Sequence, residues 1–191
     1  MVFLTKKMKN LYLLIVLIVV AGCKKSVIEQ NTLVGGCTDI DSPIYNSGVD
    51  FDDASCLYAY IYEYEISFYP SEDPSASWPI LTWDDPISGA NADLILKIWE
   101  KDNNNLIFTS SELPNQPYNT PGIWNAPENL KLYNKEYDWE LVDYDGLNDN
   151  DFIASGTFNP IELAIEGEIS TTGNHTAGNQ SQLKIRYNLA P

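Results

Sequence analysis

The run Asp143-Tyr144-Asp145-Gly146-Leu147-Asn148-Asp149-Asn150-Asp151 packs four carboxylates into nine positions between two apolar segments. Carboxylates this close repel one another, and a hard divalent cation such as calcium, which takes about six to eight oxygen ligands, relieves the repulsion. Asp, Asn and Gly also favour turns for local reasons, so a solvated acidic turn competes with the ion site. A second acidic loop runs from Asp84 and Asp85 to Asp93. If the fold brings both loops together, their carboxylates crowd one cup, which costs stability unless cations neutralise it.

The segments around these loops read as strands. Tyr137, Trp139 and Leu141 alternate with Asp138, Glu140 and Val142, a period of two that delivers the chain into the acidic run, and Phe152 to Phe158 leaves it as the next strand. Leu94 to Glu100 is apolar enough for a central strand, and Lys101 to Asn105 reads as a hairpin turn before Leu106 to Ser110. Upstream, Tyr58, Tyr60, Tyr62, Tyr64, Ile66 and Phe68 alternate with Ala59, Ile61, Glu63, Glu65, Ser67 and Tyr69. That pattern predicts a strand whose tyrosine row faces the core. Prolines 114, 117 and 121 mark a long connection ending at Trp124-Asn125, and Leu130 to Tyr133 reads as a short strand. Ile161 to Ile169 and Leu183 to Leu189 supply two more, with Ser170 to Ser181 a polar loop between them.

About eight strands with no sustained helical period predict an all-β fold, an eight-stranded antiparallel β-sandwich over residues 57–191. Loops at one end of two packed sheets cluster, so a sandwich can make Asp84, Asp85 and Asp93 face Asp143, Asp145 and Asp151.

The front of the chain is of a different kind. Lys6, Lys7 and Lys9 precede an apolar run from Leu11 to Ala21, the layout of a secretory signal over residues 1–22 and too short for a comfortable membrane span. Val20-Ala21-Gly22-Cys23 resembles the lipobox of bacterial lipoproteins, which implies that Cys23 becomes the acylated first residue and anchors the protein to a membrane. Loss of the three leader lysines takes the formal charge from −16 to −19. Nucleic acid is thereby excluded as a natural partner, since phosphate contacts need Lys and Arg. Twelve Tyr, five Trp and six Phe are not the composition of a disordered acidic tail. With Cys23 acylated, Cys37 and Cys56 form an even pair in an oxidising compartment, and a disulfide between them is expected.

Residues 23–35 read as a tether, and residues 36–56 as a small disulfide-closed acidic module. Gly36-Cys37-Thr38-Asp39, Tyr45-Asn46 and Asp52-Asp53-Ala54-Ser55-Cys56 resemble the short disulfide module of secreted Bacteroidota proteins, with Ile44 and Ala54 departing from its pattern. Asp39, Asp41, Asp50, Asp52 and Asp53 within it form a second, weaker candidate for calcium, against the reading of a polar linker.

Residues 58–189 resemble a C2 domain, a calcium-binding β-sandwich. The resemblance is carried by Leu141-Val142-Asp143-Tyr144-Asp145 with Asn150-Asp151-Phe152-Ile153, by Asp93 followed by Leu94-Ile95-Leu96-Lys97-Ile98, and by Trp124-Asn125. It implies Asp93, Asp143, Asp145 and Asp151 as calcium ligands. A first-loop partner is taken as Asp85 in preference to Asp84, with Asp149 a further candidate. Ala154 stands where the family has Gly. A basic groove for anionic lipid does not carry over, because the basic residues are few and scattered.

The function expected is therefore a non-enzymatic, lipid-anchored calcium-binding protein of the bacterial cell envelope, attached to the outer membrane on either its periplasmic or its surface face. Calcium would order the acidic loops for stability or for binding a partner or membrane. The lone histidine, His175, sits in a polar loop without a catalytic motif around it. A carbohydrate-binding module or surface adhesion subunit is the alternative, using Trp78, Trp83 and Trp124 near the loops to stack on sugars. A protein or glycan partner stays open on the sequence.

Overall fold

The computed structural model describes residues 32–73, 76, 82–84, 91–146, 150–163, 167–175 and 180–191. Ten strands are named in chain order: β1 Gly35–Gly36, β2 Phe51–Asp52, β3 Tyr58–Phe68, β4 Leu94–Glu100, β5 Asn105–Thr109, β6 Gly122–Lys131, β7 Tyr137–Asp143, β8 Asp151–Phe158, β9 Glu168–Asn174 and β10 Gln180–Ala190. A single helical turn, α1 Pro160–Leu163, separates β8 from β9. The sequence expectation of a strand over Ile161 to Ile169 is corrected there. Pro160 suits a first helical position and Asn159 Oδ1 accepts the Ile161 N–H at 2.9 Å, which caps a turn rather than feeding a ladder.

Strands β3 to β10 form one antiparallel sheet in the order β5-β4-β7-β8-β9-β10-β3-β6. Between β8 and β9 the ladder is reduced to one pair, Ser155 with Asn174. The sheet folds over at this seam, so that β5-β4-β7-β8 faces β9-β10-β3-β6, and Tyr64 of β3 stacks on Phe108 of β5 with centroids 4.3 Å apart. The enclosed core takes Leu94, Leu96 and Ile98 from β4, Tyr137, Trp139 and Leu141 from β7, Ile169 from β9, and Leu183 and Ile185 from β10. The expected all-β antiparallel sandwich is observed. Strand β9 extends to Asn174 and β10 begins at Gln180, so the polar loop expected from Ser170 is shorter. Trp124-Asn125 and Leu130 belong to β6 rather than to a connection and a separate short strand.

The tyrosine row of β3 behaves differently from its pattern. Ala59 and Ile61 point into the core, and beyond them Tyr64 and Ile66 do. A register shift against β6 between Ile61 and Glu63, with another on the β10 side at Arg186/Tyr187, inserts a residue and reverses the alternation. Tyr62 is left exposed while Tyr64 is wholly buried. A further shift opposite Gln182/Leu183 leaves Phe68 exposed and turns Tyr69 inward at the strand's end.

Cys37 and Cys56 are joined as expected. The segment they close is held by β1 pairing parallel with β2 and by its own aspartates. Asp39 accepts the Asp41 N–H at 2.9 Å and the Tyr58 hydroxyl at 2.7 Å, while Asp41 accepts the Asn134 N–H at 2.8 Å. Asp50 accepts the Val34 N–H, and Asp52 and Asp53 cap the Ala54 and Ser55 N–H groups. These carboxylates are spent on separate backbone donors, and among the described residues they do not converge as a second ion site.

Candidate metal centre

The site is assembled from the ends of β4 and β7. In their antiparallel register Leu94 faces Asp143, which brings Asp93 beside the end of β7. The Asp93 N–H donates to Asp143 Oδ1 at 2.6 Å, its carbonyl accepts the Tyr144 N–H at 2.9 Å, and its Oδ1 accepts the Asn115 N–H at 2.5 Å. Asp143 has the same parity on β7 as Tyr137, Trp139 and Leu141, so it is a carboxylate on the core face of the strand. It is fully buried.

One carboxylate oxygen from each of Asp84, Asp143 and Asp145 lies within 4.8 Å of the others. Two oxygens on opposite sides of one calcium ion, at about 2.3 to 2.6 Å from it, stand at such a separation. Burial pushes the Asp143 carboxyl up to about 7; the hydrogen bond from Asp93 lowers it, and the charges of Asp84, Asp145 and Asp93 raise it. Asp145 is raised by burial and then by Asp93 and Asp73, and Asp151 by burial and then by Asp145 and Asp73. The second oxygen of Asp143, Oδ2, is buried and has no hydrogen-bond partner among the described residues. An orphaned buried acceptor is costly, and a cation at this point satisfies it.

Tyr69 supports the floor. Its hydroxyl accepts the Ala92 N–H at 3.1 Å and donates to the Gln116 carbonyl, tying the loops before β4 and before β6 to each other. Trp83 packs edge-on against Tyr69, with centroids 6.4 Å apart, and donates its indole N–H to the Pro70 carbonyl at 2.7 Å. Asp93, Glu112, Tyr144 and Gly146 join Asp84 and Asp145 around a shallow cavity of about 260 Å³.

Of the residues expected from sequence, Asp84, Asp143 and Asp145 converge, Asp93 binds their backbone frame, and Asp151 pairs with Asp143 across β7 and β8. Asp85 and Asp149 lie outside the described residues. Asp73 and Glu112 were not singled out by the sequence reading. Asp73 is buried, a rare state for an aspartate in a loop, but its spacing from the other acids carries no signal. The loop tryptophans differ from expectation: Trp83 and Trp124 are buried, and Trp124 donates its indole N–H to the Ser111 carbonyl at 2.7 Å, so neither presents a stacking face. Trp78 lies outside the described residues.

No family model matches the chain, and no curated protein matches it. Solved structures do match in shape. One is described as a C2 domain, with 13% identity and a TM-score of 0.42, covering 71% of this chain and 99% of that one. A human GIVD cytosolic phospholipase A2 matches with 10% identity and a TM-score of 0.43 over 69% of this chain and 17% of the phospholipase chain. A calcium-bound pair of C2 domains from Extended-Synaptotagmin 2 matches with 17% identity and a TM-score of 0.35, covering 68% of this chain and 46% of that one.

Proposed function

We propose that this protein is a non-enzymatic calcium-binding β-sandwich, lipid-anchored through Cys23 in the bacterial cell envelope, in which the ion orders the acidic loops. The observation that carries the reading is the buried Asp143, which has an unpartnered Oδ2 and places one of its carboxylate oxygens within 4.8 Å of those of Asp84 and Asp145, a set of hard oxygen donors. These three would hold the ion, with Asp93, Asp151 and Glu112 close enough to add charge or further oxygens. Bound calcium supplies positive charge that lets several buried carboxylates stay ionised together. The lipid anchor rests on the leader and Val20-Ala21-Gly22-Cys23, and no helix among the described residues is long and apolar enough to cross a membrane.

Affinity in the range of extracellular modules, about 10⁻⁴ to 10⁻³ M, suits a site of this exposure. At a tenfold excess over the dissociation constant, one site adds about 1.4 kcal/mol to stability. Melting curves of the mature protein in excess calcium and in chelator are expected to separate accordingly. Superimposable curves would overturn the reading.

A further inference from the structure

The outer face of the β4-β7-β8 sheet carries a second concavity, toward the opposite end of β7 from the acidic cup. Trp99 pairs with Asp138, Asp138 with Thr157, and Glu140 with Ser155, so these side chains form adjoining rows on one face. Asn104, from the β4–β5 turn, and Asn174, at the end of β9, close the two sides of a cleft of about 610 Å³. The cleft lies over the seam where β8 and β9 meet through a single pair. Trp139 borders it from beneath, its side chain wholly buried on the other, core face of β7.

We propose that this cleft binds a neutral carbohydrate. Its volume is that of a small-ligand site. The partly exposed Trp99 offers an apolar plane for the C–H face of a pyranose ring. Around that plane stand carboxylate acceptors at Asp138 and Glu140 and amides at Asn104 and Asn174 that both donate and accept. A polyol, with a donor and an acceptor on each hydroxyl, answers such a mixture. An anion does not, because among the described residues the lining holds no Lys or Arg. A cation cage is disfavoured too: Asp138 already accepts the Thr157 hydroxyl at 2.6 Å, and Glu140 stands 3.9 Å from the Lys97 ammonium.

The test is affinity electrophoresis of the mature protein in native gels containing soluble xyloglucan, laminarin, galactomannan or dextran, run with calcium and with chelator. Retarded migration is expected in at least one gel under both conditions. Trp99→Ala is expected to weaken it about tenfold, the scale of one aromatic contact, and Trp99→Phe to retain most of it. Asn174→Ala, at an exposed position, serves as the second variant if Trp99→Ala fails to fold. Absence of retardation in every gel overturns the proposal. So does retardation that survives both substitutions in folded protein, or that disappears in chelator.

Discussion

Asp143 is the residue on which the ion reading turns, because its buried carboxylate stays ionised at neutral pH more readily with a counter-charge beside it. Without one, it holds an orphaned Oδ2 in a buried position, with Asp84 and Asp145 carboxylates close by. Asp143→Asn removes that charge and offers an amide donor to the neighbouring carboxylates. The variant in chelator is therefore expected to be as stable as the parent or more so, by about 1 kcal/mol. In calcium the ordering reverses, because the variant no longer gains the shift produced by the ion. Urea unfolding of both proteins in calcium and in chelator reads the crossover, and a variant equally destabilised in both conditions would point to a purely structural role. Asp143 was legible in the sequence from the crowding of carboxylates between Asp143 and Asp151, while its burial on the core face shows only in the strand, where it shares the parity of Tyr137, Trp139 and Leu141. Asp73 was not, since it sits in a loop whose conformation no periodicity describes.

Strands were legible wherever alternation runs unbroken, as in β4 and β7, and misleading wherever a bulge interrupts it. In β3 the alternation of letters continues past Ile61 while the chain inserts a residue, so Tyr64 turns inward and Glu63 and Glu65 line the outer face. Those two glutamates meet Arg186 of β10, which bonds Glu63 through Nη1 and Glu65 through Nη2 at 2.5 Å, with Glu168 of β9 3.4 Å from Nε. Burial pushes Glu65 up, but hydrogen bonds from Ser67 and Arg186 and the nearby charges of Arg186 and Lys184 outweigh it and hold the carboxyl below its ordinary value of 4.5. A folded-state value below the unfolded one contributes stability above the unfolded value, and that contribution is lost as pH falls through the folded one. Glu65→Gln is expected to lower stability at neutral pH and to flatten its decline below about pH 4.5, as read by unfolding midpoints across an acid series. Parallel profiles for variant and parent would remove the pair from the account of acid stability.

At the scale of the molecule, the proposed ion and the disulfide act at opposite ends of the same strands. The acidic cup lies where β7 ends and β4 begins, whereas Asp39 and Asp41 fasten the disulfide-closed segment to Tyr58, at the start of β3, and to Asn134, just before β7. An eleven-residue strand such as β3 spans about 35 Å, far beyond the distance over which substitutions normally couple. The bond between Cys37 and Cys56, 19 residues apart, is worth about 3 kcal/mol in the chain-entropy account. Loop closure acts on the unfolded chain, and calcium acts on the folded one, so the two contributions have different origins as well as different places. Replacing both cysteines with serine is therefore expected to lower stability by nearly the same amount in calcium and in chelator. If the loss differs between the two conditions by more than about 0.5 kcal/mol, the ends communicate through the sandwich, and the ion is tuning the whole fold rather than only its loops.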